Sequence, residues 1–298
     1  MVREAEVVTI SCVNYSSVWG DTAANLRKMR NIVEQAAGQG SNIVVFPELA
    51  LSGYECTENC QMHAEQAETV PGPSTEAMAD LAAKKDVYVV FGMPERERGG
   101  TGKMHISSAI VGPKGILGTY RKTHPASIPP YREHLCFQPG DSLPVFETRY
   151  GRVGVQICAD FWYFGEQTRI LALKGARILI NTSASLAGPG KPYFIVQQSG
   201  ARAAENGLFV ATANMTGVER TFRFCGHSVI AGPLPPRRVH LYAEAGENEE
   251  IVTATLNLKQ LDWFHDNHVY SDVFSPSYIS FLRREFEELD RTQRREEA

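Results

Sequence analysis

Apolar residues in the first third of the chain recur with the periods of buried strands and amphipathic helices. Runs at 6–14, 42–46 and 87–92 are short and almost wholly apolar, which is typical of strands buried on both faces. Between these runs, residues 21–37 and 75–85 place apolar side chains along one face of a helix. The order strand, helix, strand, helix, strand favours crossover connections and a sheet backed by helices.

Beyond residue 106 the strands follow one another more closely. A Gly-Pro-Lys-Gly turn separates the runs 107–111 and 116–120, and a Tyr-Gly turn separates 145–148 from 152–157, so two hairpins are predicted. Later apolar runs alternate again with helical stretches. These later elements are helices at 166–174 and 192–205 and strands at 177–180, 208–213, 227–231 and 251–258.

A final helix is predicted at 278–295, in a highly charged segment with one apolar stripe. The strands before it already close the core, so the stripe is expected to pack on a neighbouring subunit. We therefore expect a homodimer or higher homo-oligomer, with one domain at 1–277 and a C-terminal arm at 278–298. The stripe consists of Phe281, Leu282, Phe286 and Leu289.

Three of the predicted strands end in residues that can take part in catalysis. Cys158 ends an apolar run abruptly before a helix, Glu48 follows a second run, and Lys122 follows a third. A carboxylate at the end of a buried strand must face a cavity, because burying it unpaired is strongly unfavourable. A reactive cysteine needs a base and a positive neighbour, since its thiol is mostly protonated at neutral pH.

Each of these residues also has a purely structural explanation. A lone cysteine is more often a small buried hydrophobe than a nucleophile. Glu48 and Lys122 are compatible with a structural ion pair, and Glu133 is compatible with a surface charge in a proline-rich loop. Their placement at strand ends favours catalysis, because titratable groups with shifted pKa values concentrate at such positions.

Five sequence blocks occur in an order that resembles the nitrilase or carbon-nitrogen hydrolase superfamily, from about residue 7 to about residue 258. The blocks are NIVVFPELALSGY, GTYRKTHP, REHLCFQPGD, the segment around Cys158, and RAAENGLFVATANMTG. The resemblance implies an α/β fold, a four-layer α-β-β-α sandwich with a C-terminal helical arm. It also implies that Cys158 is the nucleophile and Glu48 the general base. Lys122 would then stabilise the oxyanion, and Glu133 would be a second glutamate that orients Lys122 and the substrate.

The residues after Cys158 narrow the expected substrate. Nitrile-hydrolysing members of the superfamily have Cys-Trp-Glu there, whereas this chain has Cys-Ala-Asp, as in the amidase and carbamoylase branches. Members that hydrolyse N-carbamoyl amino acids use arginines just after the nucleophile, where this chain has Phe161 and Trp162, so a neutral or cationic amide is expected. The Gly before Glu166 departs from the aromatic-Pro-Glu pattern of the superfamily and leaves the local loop shape open. The residues predicted to contact substrate are Tyr54, Ala159, Asp160, Phe161, Trp162 and Ser183.

The expected activity is cysteine-dependent hydrolysis of a linear amide or N-carbamoyl amine through a thioester, with release of ammonia or an amine. Two alternatives remain open. An acyl or amide transferase would pass the same thioester to an amine, and a non-catalytic binding protein would keep the fold without turnover. The presence of all four predicted catalytic residues weighs against the second alternative.

Composition and charge argue against several other classes of protein. The 298 residues carry a formal net charge of −4, and the basic pairs Arg283-Arg284 and Arg294-Arg295 lie in a highly charged C-terminal segment that is most simply a solvated helix face, so nucleic acid is not an expected partner. The first residues lack the apolar core of a signal peptide, and no run reaches the ~18 apolar residues of a transmembrane helix. We expect a cytoplasmic protein that does not bind a membrane and whose partner is a small amide or carbamoyl molecule.

The six cysteines are expected to be reduced in that compartment. Cys56, Cys60 and His63 lie close together in the sequence, but they lack a fourth ligand and the usual pair spacing of zinc motifs. No metal and no cofactor is therefore expected. The Gly-Pro-Gly-Lys turn at 188–191 looks like a phosphate loop, yet it lacks the Walker spacing and the following Ser or Thr. It is therefore interpreted as a plain loop.

Overall fold

Two six-stranded sheets form the centre of the protein in a computed structural model that describes residues 5–56, 60–266 and 275–296. The strands are β1 (Val7–Asn14), β2 (Ile43–Val45), β3 (Tyr88–Arg96), β4 (Met104–Gly112), β5 (Gly115–Arg121), β6 (Val145–Thr148), β7 (Gly151–Ile157), β8 (Ala176–Ser183), β9 (Phe209–Asn214), β10 (Thr216–Glu219), β11 (Phe222–Cys225), β12 (Val229–Leu234), β13 (Arg237–Glu244) and β14 (Glu250–Asn257). The helices are α1 (Thr22–Gly38), α2 (Gln61–Gln66), α3 (Pro73–Lys85), α4 (Glu133–Cys136), α5 (Ala159–Tyr163), α6 (Gly165–Leu173), α7 (Lys191–Asn206), α8 (Lys259–Asp266) and α9 (Pro276–Glu296).

Each large sheet combines parallel crossovers with antiparallel edges. The first sheet has the order β14-β1-β2-β3-β4-β5, in which β1, β2 and β3 are parallel and are connected by α1 and α3. The second has the order β13-β12-β9-β8-β7-β6, in which β7, β8 and β9 are parallel. Both hairpins expected from the sequence, β4–β5 and β6–β7, are present. The carboxyl ends of β2 and β7 therefore carry the loops that hold Glu48 and Cys158.

The two sheets pack face to face, and helices cover their outer faces. Strand β1 lies against β9 and β4 against β7, while α1 and α3 cover the first sheet and α6 and α7 the second. Helix α1 turns Met29, Val33 and Ala36 inwards, and the side chain of Asp21 caps its first turn. One continuous apolar core runs between the layers. The predicted four-layer α-β-β-α sandwich is confirmed.

Several elements of the structure were not predicted from the sequence pattern. The predicted loop at 55–73 contains the helix α2, although residues 57–59 lie outside the described part. The helices α4 and α5 and the two strands of the hairpin β10–β11 have only four or five residues each, which is too short to display a helical or strand period. Strand β13 and helix α8 have eight residues each and were also missed; β13 is mostly exposed, so it shows no apolar run.

The expectation of six reduced cysteines is wrong for one pair. Cys60 and Cys136 form a disulfide, with their Cα atoms 5.3 Å apart although 76 positions separate them in the chain. Sequence spacing could not reveal this, because only the fold brings the start of α2 beside α4. In the segments whose placement is described, no helix is long and apolar enough to cross a membrane.

The C-terminal helix α9 begins at Pro276 and exposes most of its apolar stripe. Phe281, Phe286 and Leu289 are 43%, 60% and 58% exposed, whereas Leu282 is half-buried. Exposed apolar groups of this size at one face of a helix favour a protein partner. The division into a domain at 1–277 and an arm at 278–298 remains a prediction, as does the homo-oligomer.

Gly92 on β3 is predicted to be essential for stability. A Cβ atom there would lie 2.3 Å from the backbone N of Leu49 and 2.5 Å from the carbonyl oxygen of Pro47, and these atoms cannot move aside cheaply. Gly92→Ala should therefore lower the free energy of unfolding by about 1–3 kcal/mol or more, measured by urea denaturation. Gly38→Ala is the matched control, because Gly38 ends α1 facing open space, and it should be neutral or slightly stabilising. Equal stability of both variants would contradict this close packing.

We also predict that the stripe of α9 holds subunits together. The double substitution Phe286→Glu with Leu289→Glu places charge in the apolar face and should lower the molecular mass measured by light scattering. Glu288→Lys changes an exposed charge on the same helix and should leave the mass unchanged. An unchanged mass in the double variant would mean that this face does not contact another subunit.

Candidate active site

Four residues predicted from the sequence meet at one end of the sandwich. Glu48 follows β2 and Lys122 follows β5 directly, while Cys158 follows β7 and Glu133 begins α4. All four are buried: Glu48, Lys122 and Glu133 have no exposed surface, and Cys158 is 7% exposed. The structure thus brings the predicted catalytic set together from four separate segments.

Lys122 is held by two carboxylates. Its Nζ lies 2.6 Å from Oε1 of Glu48 and 2.6 Å from Oε2 of Glu133. Burial alone would lower the pKa of Lys122, but Glu133 and Glu48 outweigh it and raise that pKa well above its usual value. Lys122 is therefore a permanent ammonium, and the cluster has two carboxylates for one cation.

Glu133 is an internal residue and not a surface charge. Besides Lys122, its carboxylate accepts hydrogen bonds from the Ala126 amide at 2.7 Å and from the hydroxyl of Tyr54. These donors fix the side chain in one orientation. The orientation of Glu133 in turn fixes Lys122.

Glu48 has one occupied and one open oxygen. Oε1 accepts from Lys122, whereas Oε2 is buried and has no hydrogen-bond donor in the described part of the chain. Burial raises the pKa of Glu48, Lys122 lowers it and Glu133 raises it, and the net result is a pKa above the usual range of a carboxyl. The thiol of Cys158 is close enough to lower that pKa slightly. Glu48 is thus placed and tuned to accept a proton.

Cys158 occupies a strained backbone conformation. Its φ of 47° and ψ of −105° are rare for a residue with a side chain, and such strain concentrates at functional sites. The Cys158 amide is fixed by the side chain of Asn181 and the carbonyl of Thr182, each at 3.0 Å. Burial and then Glu48 raise the pKa of Cys158, so the resting thiol is neutral.

A cavity of about 620 Å³ opens onto Cys158. Tyr54, Ala159 and Trp162, which were predicted to contact substrate, line it, as does Glu133. The amide of Ala159, next to the nucleophile, donates to no acceptor among the residues that the structure describes. This N–H is therefore available to an oxygen atom bound in the cavity.

Three other predicted substrate contacts lie behind the cavity wall. Phe161 is fully buried and packs edge-on against Trp162, with ring centroids 4.8 Å apart. Ser183 ends β8, its side chain lowers the pKa of the Cys158 thiol, and its hydroxyl forms a hydrogen bond with that of Ser185 at 3.1 Å. Neither Phe161 nor Ser183 lines the cavity, and the same is true of Asp160. Their direct contact with substrate thus has no support from the cavity lining.

Asp160 instead connects the nucleophile to the end of β5. Its buried carboxylate accepts from the Tyr120 hydroxyl at 2.6 Å, from the amide and hydroxyl of Thr123 at 2.9 Å, and from the His124 amide at 3.0 Å. Thr123 directly follows Lys122, and Asp160 follows Cys158 by two residues. These bonds therefore fix the spacing between the two catalytic segments.

Several cavity residues were missed from the sequence. His124, Tyr131 and Lys191 line the cavity, and the ring of His124 stacks on Phe164 at 3.7 Å. Lys191 was present in the turn that was interpreted as a plain loop, so a signal existed. Tyr131 lies in an irregular segment between prolines, where no periodicity reveals which side chains face inwards.

The cysteine and histidine cluster near α2 does not form a set of free ligands. Cys60 is part of the disulfide, and Sγ of Cys56 lies 3.5 Å from Nε2 of His63. No group of three or more potential ligands occurs among the residues with described placement.

The chain is similar in sequence to one known protein family and to several proteins of that kind. Residues 9–264 match the sequence model of the carbon-nitrogen hydrolase family. The chain is 36% identical over 230 residues to a nitrilase of Pyrococcus abyssi, covering 76% of this chain and 81% of the relative. It is 35% identical to the omega-amidase NIT2 of Danio rerio, covering 80% of this chain and 84% of the relative.

A solved structure gives the same result for the fold. The Nit3 protein of Saccharomyces cerevisiae, a member of branch 10 of the nitrilase superfamily, superposes with a TM-score of 0.77 at 26% identity. The superposition covers 88% of this chain and 94% of Nit3. Family model, relatives and fold agree, and the chain belongs to the carbon-nitrogen hydrolase family.

Proposed function

We propose that the protein is a cysteine-dependent hydrolase of a linear amide or N-carbamoyl bond. The observation that carries this proposal is the buried ion cluster of Lys122 with Glu48 and Glu133 beside Cys158. Burying three ionised groups is unfavourable unless they form close ion pairs and hydrogen bonds with one another. A carboxylate oxygen that has no donor and lies beside a thiol is the arrangement expected of a general base and its nucleophile. A purely structural ion pair would not need that open oxygen.

The first half of the reaction forms a thioester. Sγ of Cys158 attacks the carbonyl carbon of the amide while its proton passes to Glu48. The carbonyl oxygen becomes an oxyanion, which the Lys122 ammonium and the Ala159 amide stabilise. Collapse of this intermediate breaks the C–N bond, and the proton on Glu48 moves to the departing nitrogen, so that ammonia or an amine leaves.

The second half returns the enzyme to its starting state. Glu48, again ionised, takes a proton from a water molecule that attacks the thioester carbon. The C–S bond breaks, the sulfur of Cys158 recovers the proton, and the acid product leaves. Glu133 does not exchange protons in this scheme; it holds Lys122 in place through both steps.

The residues next to Cys158 favour an amide substrate over a nitrile. The chain has Ala159 and Asp160 where nitrile-hydrolysing members have Trp and Glu, and the Danio rerio relative is named an omega-amidase. The Pyrococcus abyssi relative is named a nitrilase, so amides, ureides and nitriles should be compared in one assay of ammonia release. Transfer of the thioester to an added amine would show as a new amide product in the same assay.

Cys158→Ala is predicted to abolish ammonia release, a loss of more than about 10³-fold, because no other group can form the thioester. Circular dichroism should show an intact fold, since only a sulfur atom is lost. Cys12→Ala is the matched control: Cys12 is a fully buried thiol in β1 that does not line the cavity, and its removal should preserve turnover. Ammonia release by the Cys158 variant would refute the assignment of the nucleophile.

Glu133→Gln is predicted to lower turnover by about 10²-fold or more, the typical effect of losing one positioned charged group. Glutamine keeps the size of the side chain, so the melting temperature should change little. Glu147→Gln, an exposed residue on β6, serves as the control and should behave like the wild type. Wild-type rates in Glu133→Gln would remove this residue from the mechanism.

Glu133→Gln should also change the pH dependence of kcat/KM in a defined direction. Glu48 must be ionised to accept the thiol proton, so kcat/KM falls as the pH falls through the pKa of Glu48. Burial raises that pKa, and the acidic limb should therefore lie at higher pH than for an ordinary carboxyl. Glu133 also raises it, so Glu133→Gln should shift the limb to lower pH. A limb that moves upwards in a kcat/KM profile would contradict this electrostatic coupling.

A further inference from the structure

Glu219 is a buried carboxylate that takes no part in the proposed reaction. It ends β10 and is only 5% exposed. In the described part of the chain no basic side chain forms an ion pair with it, and the neighbouring Arg220 lies 3.8 Å from Glu55 instead. Burial raises the pKa of Glu219, and hydrogen bonds from the Glu55 amide, Ser17 and the Tyr54 amide counteract this effect only in part. A buried carboxylate without a cation is unfavourable, so the hydrogen bonds that it accepts indicate its role.

The carboxylate of Glu219 fixes the backbone of the segment that carries Tyr54. Oε1 of Glu219 accepts from the Tyr54 amide at 2.8 Å and from the Glu55 amide at 2.7 Å. Oε2 accepts from the hydroxyl of Ser17 at 2.7 Å. Gly53 has a φ of 89°, and a Cβ atom there would lie 2.9 Å from Oε2 of Glu219. The positive φ and the close approach of the carboxylate both favour glycine at this position.

The hairpin β10–β11 also holds the ring of Tyr54. The centre of this ring lies 6.2 Å from that of Phe222 and 5.7 Å from that of Phe224, both on β11. A second carboxylate strengthens the link, because Glu55 accepts from the amide of Thr221 at 2.9 Å and from its hydroxyl at 3.0 Å. The hairpin therefore fixes both the backbone and the ring of Tyr54.

Tyr54 connects this hairpin to the buried ion cluster. Its hydroxyl donates to Oε1 of Glu133. The other oxygen of Glu133, Oε2, accepts from the Ala126 amide at 2.7 Å and lies 2.6 Å from Nζ of Lys122. One carboxylate oxygen is thus held by Tyr54 while the other holds Lys122. Rotation of the Glu133 carboxylate would move the ammonium away from a developing oxyanion, and small displacements of this kind are costly in catalysis.

We propose that Glu219 is a positioning residue for the Lys122 ammonium. It holds Tyr54 in the orientation in which the Tyr54 hydroxyl fixes Glu133, and Glu133 in turn fixes Lys122. Glu219 does not line the cavity, so it acts only through these residues. The inference rests on the proposed function, because it requires Lys122 to stabilise the oxyanion. Loss of Glu219 should therefore lower kcat and change KM little, since a displaced ammonium weakens binding of the transition state more than that of the substrate.

The test measures kcat and KM by ammonia release from an amide that the wild type hydrolyses. Glu219→Ala removes the acceptor and should lower kcat by about 10- to 100-fold, the effect of losing one or two charge-assisted hydrogen bonds. Glu219→Gln keeps an oxygen that accepts from both amides, so it should restore most of kcat. Glu68→Ala is the matched control, because Glu68 accepts from the amide and hydroxyl of Ser74 at 2.8 and 2.6 Å and does not line the cavity. This control should keep the kcat of the wild type.

A double-mutant cycle separates positioning from a general effect on the fold. Tyr54→Phe keeps the ring and removes the hydroxyl, and it should lower kcat by about 10-fold or more. In the Tyr54→Phe background, Glu219→Ala should cause only a small further loss, because the hydroxyl through which Glu219 acts is already absent. Circular dichroism gives the melting temperature of each variant. Glu219→Asp, which keeps the charge and withdraws the acceptor by one methylene group, replaces Glu219→Ala in the cycle if the alanine variant does not fold.

Two results would overturn the positioning role. One is a wild-type kcat in Tyr54→Phe, and the other is an equal loss of kcat from the Glu219 substitution in both backgrounds. Both results leave the proposed hydrolase standing, since the wild type would still release ammonia. Absence of ammonia release by the wild type from every amide in the assay would instead overturn the proposed function, and the positioning role with it.

Discussion

The buried ammonium of Lys122 is the constraint that organises this protein. A lysine without solvent keeps its charge only if carboxylates surround it, and two carboxylates from separate segments do so. Glu48 arrives from the end of a central parallel strand, and Glu133 arrives from a one-turn helix. Neither segment can move without exposing the charge of Lys122 to an apolar interior. The ion cluster therefore holds these two segments of the chain in place, in addition to any role in catalysis.

A second layer of contacts connects this ion cluster to Cys158. Asp160 binds the backbone just after Lys122 and lies two residues beyond Cys158, so the ammonium and the thiol share one rigid frame. Glu219 acts in a similar way on the other side, where its carboxylate accepts from the amides of Tyr54 and Glu55 at 2.8 and 2.7 Å. Tyr54 in turn donates to Glu133. Preorganisation of this kind is what makes electrostatic stabilisation of an oxyanion effective.

The sequence predicted the layers of the fold and three members of the buried cluster, Glu48, Lys122 and Cys158, because both leave local signals. Long apolar runs reveal strands, and Glu48, Lys122 and Cys158 each interrupt such a run at its end. The role of Asp160 leaves no local signal, because a carboxylate that accepts several hydrogen bonds looks in sequence like one that faces a ligand. The Cys60–Cys136 disulfide and the position of Lys191 depend on long-range packing, which periodicity does not contain.

The disulfide covalently ties the segment that holds Glu133 to a distant part of the chain. Cys136 lies one turn from Glu133 in α4, and its bond to Cys60 closes a ring of chain that includes β3, β4, β5 and Lys122. Segments of irregular structure ordinarily open one at a time, at a small fraction of the free energy of global unfolding. Inside this ring, α4 is tethered to Cys60, so it cannot move far from the start of α2 when its hydrogen bonds break. When α4 closes again after a brief opening, Glu133 therefore returns to Lys122, and the ion pair between them forms again.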